Sequence, residues 1–289
     1  MRTATIYQSR FLLKELYPAA LKSSRSEFVQ FHADAINQNC RQLTFDALTV
    51  NILRVNDKGL PDGDIVSAVA HVSESVVANY QKHLLLDQFT PITLAQPGTA
   101  VFIEAVRPID HWENTEIYKK HCTPFDFYWV LGVSYIYPFH TTALVAFDYM
   151  RSKGDAYCNE LSEFEVEYLS YPFYLGWLHQ FGAIGPETLR QWLTLLADMP
   201  PARFRVIRGL AEPRAFNART FAQSIGSTQN TVYRHLEHAF EELMVRDSDF
   251  IDLDGSINRI LALSKAYRFF EFGTASSQRI LPTRKPPVG

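Results

Sequence analysis

The chain changes its hydrophobic pattern at Gly185-Pro186, and this change most constrains how it can fold. Before this point strand-like runs alternate with helical ones. After it strand signals vanish, and apolar residues recur at helical spacing, as at Leu189, Trp192, Leu193 and Leu196. A chain of 289 residues is long for one domain and comfortable for two. The sequence therefore predicts two unlike parts, an α+β domain followed by an all-α domain.

Two pairs of strand-like segments predict an antiparallel sheet in the first part. Ala47–Val55 is rich in strand formers and is separated from Ile65–Val72 by turn residues that include Pro61-Asp-Gly63. A short polar break separates Phe127–Tyr137 from Thr142–Met150. We expect this second pair to lie at the centre of the sheet.

Helical segments flank these strands. Ser26 is a candidate N-cap for a helix that ends near Cys40, and Ser75–Leu86 forms a second helical stretch. Ser162-Glu-Phe-Glu165 matches the S-x-x-E capping box and predicts a helix towards His179. We therefore predict an α+β domain with an antiparallel sheet and flanking helices over residues 1–185, a helical linker over 186–200, and an all-α domain over 201–275. The basic, proline-containing end of the chain, 276–289, is predicted to be disordered.

Composition indicates a folded chain, because 47% of residues are hydrophobic and only 20% are charged. Its three cysteines lack C-x-x-C spacing, which favours a reducing compartment over a disulfide framework or a zinc site. The N-terminus has no uninterrupted apolar signal core, and the aromatic run 125–139 is too short to cross a membrane. We expect a cytoplasmic protein with no membrane partner.

The segment after Phe216 has the pattern of two helices that cross at a tight turn. Ala222 supplies a small residue at the crossing, and Gly226 supplies a residue that tolerates positive φ in the turn. In the second helix, apolar residues recur at helical spacing and form a core stripe at Val232, Leu236, Phe240 and Leu243. The opposite side of that helix is polar.

This polar side has the chemistry of a DNA-reading surface. Asn and Gln can form paired hydrogen bonds to adenine, Arg can bind guanine or phosphate, and hydroxyl groups can bind phosphate. Residues 201–247 carry a net charge of +2, although the whole chain carries −3. The candidate DNA-binding residues are Arg219, Thr228, Gln229, Asn230, Thr231, Tyr233, Arg234 and His235.

Ala222-Gln-Ser-Ile-Gly226, followed by Thr231-Val-Tyr-Arg-His-Leu236, resembles the C-terminal helix-turn-helix domain of LuxR-type transcriptional regulators. The resemblance implies a four-helix unit with helices over 201–210, 218–225, 228–243 and 256–270. The chain departs from the family at Pro201-Ala-Arg-Phe204, where the first helix usually opens with acidic residues. The spacer Ile251–Gly255 before the last helix is also unusual.

The first domain resembles, in outline, the GAF- or PAS-like ligand-binding domains that precede this unit in many LuxR-type regulators. In the acyl-homoserine-lactone receptors of that family, aromatic and acidic pocket residues occur in an order comparable to His83-x-x-x-Asp87 and Trp112-x₅-Tyr118. Gln88 stands where the family usually has Pro, and His83 where an aromatic residue is usual. These departures disfavour an acyl-homoserine lactone and favour another small organic signal.

Aromatic side chains with a few polar anchors are the usual lining of a small-molecule site. The candidate ligand-binding residues are Tyr80, Asp87, Trp112, Tyr118, Phe127 and Trp129. The alternative interpretation is that the aromatic residues are plain core and that Asp87 caps a helix or joins a surface ion pair.

An enzymatic function has less support in the sequence. The chain has no G-x-G-x-x-G, G-x-x-x-x-G-K-[ST], G-x-S-x-G or H-E-x-x-H segment, and its nine histidines are dispersed. We predict no catalytic site, no metal site and no cofactor.

The favoured hypothesis is therefore a dimeric, ligand-responsive transcription factor related to quorum-sensing regulators, whose partners are double-stranded DNA and a small organic signal. The alternative is an interaction or adaptor protein whose helical domain docks on another regulator or on polymerase.

Overall fold

A computed structural model describes residues 6–56, 61–106, 109–137, 143–152, 154, 156–210, 217–246, 263, 266 and 267. Within these residues the fold is α+β, as predicted, with one sheet early in the chain and only helices after Gly185. Phe216, most of the predicted last helix (256–270) and the predicted disordered tail (276–289) lie outside the described residues.

Five antiparallel strands form one sheet in the order β2-β1-β5-β4-β3. The strands are β1 (Ala47–Val55), β2 (Pro61–Ala70), β3 (Ala100–Phe102), β4 (Trp129–Ile136) and β5 (Ala143–Arg151). β5 is the central strand and β4 lies beside it, which confirms the predicted central pair.

The prediction of a turn at Pro61-Asp-Gly63 was wrong. Asp62 pairs with Arg54 and Pro61 with Val55, so these residues extend β2 beyond its predicted start at Ile65. The register shifts between Ile52 and Arg54, and pairing with β1 overrides the local turn preference. A proline is tolerated here because it is the first residue of an edge strand.

The helices of seven residues or more are α1 (Arg25–Asn39), α2 (Ser75–His83), α3 (Glu163–Gln180), α4 (Pro186–Leu196), α5 (Pro201–Gly209), α6 (Ala218–Ser224) and α7 (Gln229–Arg246). Shorter helical segments are Ser9–Phe11, Leu12–Leu16, Tyr17–Lys22, Arg41–Leu43, Leu84–Leu86, Thr90–Ala95, Ile103–Val106, Ile109–Glu113, Tyr118–Cys122, Thr123–Phe125 and Tyr157–Asn159.

Capping boxes begin two of the long helices. The predicted box of α3 is present: Glu165 N–H donates to Ser162 Oγ (3.3 Å), and Ser162 N–H donates to the Glu165 carboxylate (2.8 Å). α1 begins with the same arrangement at Ser24 and Glu27, so its N-cap is Ser24 and not the predicted Ser26. Glutamate lies three residues after Ser24, and this spacing selects the cap.

One face of the sheet is covered by α1 and α3. Polar groups on this face are paired, as in the bonds from Tyr174 Oη–H to Ile136 O (2.7 Å) and between the hydroxyls of Tyr135 and Ser170 (2.5 Å). α3 is buried along most of its length because α4 packs on its other side. Helices α3 and α4 and the sheet therefore share one hydrophobic core.

The opposite face of the sheet carries α2 and the short helix Thr90–Ala95. Gly132 in β4 permits the short helix to approach closely, because a Cβ there would lie 3.0 Å from Thr93 Oγ1 and 3.1 Å from the ring of Phe89. Between these helices and the sheet a cavity remains.

The last described part of the chain is a cluster of α5, α6 and α7. Asn217 Oδ1 accepts hydrogen bonds from the backbone N–H groups of Arg219 and Thr220 (both 3.0 Å) and so caps α6. Gly226 adopts φ +65° in the turn between α6 and α7, as its predicted role requires. Phe221 packs directly against Gly209, where a Cβ would clash.

Candidate functional site

The cavity lies between the sheet and α2, and its walls combine aromatic, aliphatic and acidic side chains. The cavity volume is about 70 Å³, within about 610 Å³ of atom-free space that includes the open mouth. The enclosed part holds only a few non-hydrogen atoms, so a small organic molecule bound here extends into the mouth. The wall residues used below are Thr49, Asn51, Tyr80, Asp87, Phe89, Thr90, Trp112, His121, Cys122 and Asp148.

Asp148 projects from β5 on the cavity face of the sheet. In the register of the strands it lies between Thr49 of β1 and Gly132 of β4. Thr49 Oγ1 donates to Asp148 Oδ2 (3.1 Å), and Asn51 Nδ2 donates to the same oxygen (3.2 Å). Burial raises the pKa of Asp148 to about 6, with nearby Asp87 adding to the rise. The carboxyl group is thus mostly ionised near neutral pH and gains a proton under mildly acidic conditions.

Asp87 holds the start of the short helix Thr90–Ala95. Its Oδ1 accepts hydrogen bonds from the backbone N–H of Phe89 (2.7 Å) and of Thr90 (3.2 Å), and Tyr80 Oη–H donates to its Oδ2 (2.6 Å). Burial and the adjacent carboxylate raise the pKa of Tyr80 well above its usual value, so its hydroxyl stays protonated. Asp87 therefore has the capping role that the alternative interpretation gave it, and it also lies on the cavity wall.

Trp112 and His121 close the cavity from the segment before β4. The indole N–H of Trp112 donates to the backbone oxygen of Tyr128 (3.2 Å), and a hydrogen bond of 2.9 Å joins His121 Nδ1 to Asn79 Oδ1. Burial lowers the pKa of His121 to about 4, so the ring is neutral at pH 7. Burial raises the pKa of the Cys122 thiol, which therefore also stays neutral.

The six predicted ligand-binding residues divide into two groups. Tyr80, Asp87 and Trp112 lie on the cavity wall. The other three lie outside the lining: Tyr118 contacts Trp112 edge to face, Phe127 packs beside His121, and Trp129 donates its indole N–H to Gly154 O (2.9 Å).

Sequence reasoning missed Asp148, Thr49 and Asn51, which form the polar floor of the cavity. A signal was present, since Asp148 is the only charged residue in the apolar run Ala143-Leu-Val-Ala-Phe-Asp-Tyr-Met150. A lone carboxylate within a central strand must either find partners or face a cavity. Thr49 and Asn51 lie two residues apart on β1 and therefore share the same face of the sheet.

α7 separates its residues into a buried and an exposed side. Val232, Leu236 and Leu243 are buried against α5 and α6, as the predicted core stripe requires. The predicted DNA-binding residues are exposed except His235, which is half-buried. Thr228 accepts a hydrogen bond from Thr231 N–H at its Oγ1 (3.2 Å) and so caps the helix, and Gln229 Nε2 donates to Tyr233 Oη (3.2 Å). The exposed side thus begins with polar residues at the first turn of α7.

Solved structures that are similar to this chain over most of its length include two of the same protein. SdiA of Escherichia coli is 13% identical, with 90% of this chain and 98% of that chain covered and a TM-score of 0.38. SdiA in complex with octanoyl-rac-glycerol is 14% identical, with 90% and 95% covered and a TM-score of 0.39. No protein-family model matches the chain, and no curated protein matches it significantly.

A charged contact connects α5 to the sheet-bearing part of the chain. The guanidinium of Arg208 forms an ion pair with the carboxylate of Glu167 in α3 and also donates to the backbone oxygen of Gly98 (2.5 Å). Glu167 is buried, so its charge depends on this partner. Gly98 N–H in turn donates to Ser134 O in β4 (2.6 Å), which ties the contact to the sheet.

Among the described residues, no helix combines the length and the apolar character needed to cross a membrane.

Proposed function

We propose that this chain is a DNA-binding transcriptional regulator in which a small organic ligand, bound in the cavity, controls operator binding by a LuxR-like helix-turn-helix. The observation that carries this proposal is the two-sided character of α7. Val232 and Leu236 anchor the helix, while Gln229, Asn230 and Arg234 face solvent at its N-terminal end. A recognition helix reads base edges with residues from its first turns.

The exposed residues have complementary roles in this proposal. Gln229 and Asn230 would bond to adenine edges, and Arg234 would bond to guanine or to phosphate. Thr228, Thr231 and Arg219, at the starts of α7 and α6, would contact the sugar-phosphate backbone. His235 is half-buried, so it would position the helix more than read the sequence.

The DNA-binding form is proposed to be a homodimer. One recognition helix reads only a few base pairs, and two half-sites about one helical turn apart supply the missing affinity and specificity. Residues 201–247 carry a net charge of only +2, so their bulk electrostatic attraction to DNA is small. A second half-site compensates for this weak attraction.

The test is selection of a binding sequence from a pool of random duplexes, followed by titration of the purified full chain. Arg234→Ala should then weaken binding about 5- to 150-fold, which corresponds to the loss of about 1–3 kcal/mol for one base contact. Arg41→Ala is a matched control, since Arg41 is an exposed arginine far along the chain from α7. Equal affinities for the Arg234 and Arg41 variants would contradict the proposal.

The second candidate is an adaptor whose helical part docks on another regulator or on polymerase. It is favoured by the exposed Glu237 and by the His238–Glu241 pair (3.4 Å), which place acidic groups on the same helix. Salt separates the two functions. Affinity for DNA should fall with a log–log slope of about 0.9 per phosphate contact, whereas a protein contact that uses only the few acidic groups of α7 should show a much shallower slope.

A further inference from the structure

The hydrogen-bond donors on the cavity wall are already engaged within the protein. Asn51 Nδ2 donates to Thr49 Oγ1 (3.1 Å) as well as to Asp148, and Thr49 donates to Asp148. The hydroxyl hydrogen of Tyr80 is used in its hydrogen bond to Asp87. Thr90 Oγ1–H is therefore the donor in the 2.8 Å bond between Thr90 and Tyr80. The indole N–H of Trp112 is held by Tyr128 O. A ligand that offers only acceptors would have to break one of these bonds.

The cavity wall has hydrogen-bond acceptors that are available to a ligand. Both donors to Asp148 reach Oδ2, and no group in the described part of the chain donates to Oδ1. The half-buried side chain lines the cavity, and its Oδ1 is not among the fully buried polar atoms that lack a partner. On His121, Nδ1 is bonded to Asn79, and Nε2 has no hydrogen-bond partner among the described residues. A neutral ring that donates from Nδ1 has an acceptor lone pair at Nε2.

The charge of the cavity is negative. Asp87 and Asp148 both line it, and no lysine or arginine is among its described wall residues. His121, Tyr80 and Cys122 are the other titratable groups that face the cavity, and burial keeps all three neutral near pH 7. The carboxylate of Asp148 is therefore a half-buried charge with hydrogen bonds but without a counter-charge among the described wall residues, an arrangement that a bound cation would stabilise.

The aromatic walls suit the same ligand. Tyr80, Phe89 and Trp112 line the cavity together with the two carboxylates. Faces of such rings attract cations through their quadrupoles, and the attraction is strongest where water is excluded.

We propose that the cavity binds a small organic cation, a protonated amine whose N–H groups donate to Asp148 Oδ1 and whose carbon skeleton packs against Trp112 and Phe89. This inference rests on the proposed ligand-controlled function and names the class of its ligand. It excludes ligands that bind mainly as hydrogen-bond acceptors, such as lactones and esters, because the described wall residues offer them no free strong side-chain donor.

The experiment compares probes that share a skeleton and differ in charge: benzylamine, benzyl alcohol and benzoate, and likewise hexylamine, 1-hexanol and hexanoate. Binding to the purified full chain is measured by calorimetry and by intrinsic tryptophan fluorescence, to which Trp112 on the cavity wall contributes. Each amine should bind at least about tenfold more tightly than its alcohol, and the carboxylates should not bind. Failure of both amines to bind more tightly than their alcohols, or failure of every probe to bind, overturns the proposal.

Asp148→Asn keeps the shape of the side chain and removes its charge. It should weaken amine binding at least about thirtyfold and leave alcohol binding nearly unchanged. Asp34→Asn makes the same substitution at a surface position and should bind amines like the wild type. Wild-type affinity of the Asp148 variant for amines would overturn the proposal.

A second measurement uses the wild-type chain and so does not depend on folding of the variant. Amines stay protonated between about pH 7.5 and pH 5, whereas Asp148, with a pKa of about 6, takes up a proton. Amine affinity should fall about tenfold at the acidic end. Unchanged affinity would contradict the assignment.

The ligand class and the DNA-binding function can fail separately. If a neutral probe binds tightly and alters DNA binding, the proposed cationic ligand is wrong and the proposed DNA-binding function stands. If amines bind but the chain selects no DNA sequence, the DNA-binding function is wrong and the ligand class stands.

Discussion

His32 is a buried histidine whose protonation should destabilise the fold. Its ring is stacked on Phe173, with 4.1 Å between ring centroids, and is fully buried between α1, α3 and the sheet. Trp177 Nε1–H donates to His32 Nδ1 (3.3 Å), so the neutral ring has its proton on Nε2, which lies 3.2 Å from Tyr149 Oη. A second proton would go to Nδ1, where it would displace the bond from Trp177 and create an unpaired buried charge.

The size of the effect follows from linkage. Burial lowers the pKa of His32 to about 3, whereas an unfolded histidine has a pKa of about 6.5. Below about pH 6.5 the unfolded chain therefore binds a proton that the folded chain does not, and the free energy of unfolding falls until about pH 3. Between about pH 7.5 and pH 4.5 this single group should remove about 3 kcal/mol. Asp148 acts with the opposite sign, because its pKa is raised, so the effect must be isolated with a variant.

The assay is urea unfolding at the two pH values, followed by the fluorescence of the four tryptophans, all of which lie between residues 112 and 192. His32→Gln removes the titrating group. On acidification its free energy of unfolding should fall by about 3 kcal/mol less than that of the wild type. At neutral pH the variant should be less stable than the wild type. His238→Gln, at an exposed position of α7, should follow the wild-type curve. A wild-type minus His32→Gln difference below about 1 kcal/mol would refute the reasoning.

Four further substitutions test the cavity, the contact between the two parts, and α7. Gly132→Ala places a Cβ 3.0 Å from Thr93 Oγ1 and should cost about 1–3 kcal/mol by overpacking, measured by thermal unfolding; an unchanged midpoint would show that the short helix can shift. Arg208→Ala leaves a buried carboxylate unpaired and should cost about 3 kcal/mol, and calorimetry should then show separate transitions for the two parts. Leu236→Ala should cost about 2–5 kcal/mol and abolish DNA binding, whereas the exposed Tyr233→Ala should lower DNA affinity while changing stability by less than about 0.5 kcal/mol. Equal stability of these last two variants would contradict the buried and exposed sides of α7.

Local chemistry was visible in the sequence at several positions where a residue acts through its own neighbours, although the N-cap of α1 was assigned to Ser26 and not to Ser24. The capping box at Ser162 depends only on a spacing of three residues, and it was predicted correctly. The positive φ of Gly226 was likewise predicted from a turn between two helical patterns. The same kind of reasoning failed at Pro61-Asp-Gly63, because a neighbouring strand, which is not a local feature, extends the ladder through these residues.

The predicted ligand-binding residues show the same difference between local and non-local features. Tyr80, Asp87 and Trp112 were identified by residue type and by order along the chain, and all three lie on its wall. Tyr118, Phe127 and Trp129 were chosen by the same criteria and lie outside the lining, since residue type alone does not reveal which side of a segment faces a cavity.

The sequence by itself determined the α+β character of the fold, the loss of strands after Gly185, and the polar and apolar sides of α7, because each depends on periodicity within one segment. Only the tertiary structure decided that the side chains of Thr49, Asn51 and Asp148 meet. They belong to strands about one hundred residues apart in the chain, and their contact exists because the register of β1 and β5 places Thr49 opposite Asp148. Register is set by the packing of the whole sheet, so the charge of the cavity is a property of the fold and not of any one segment.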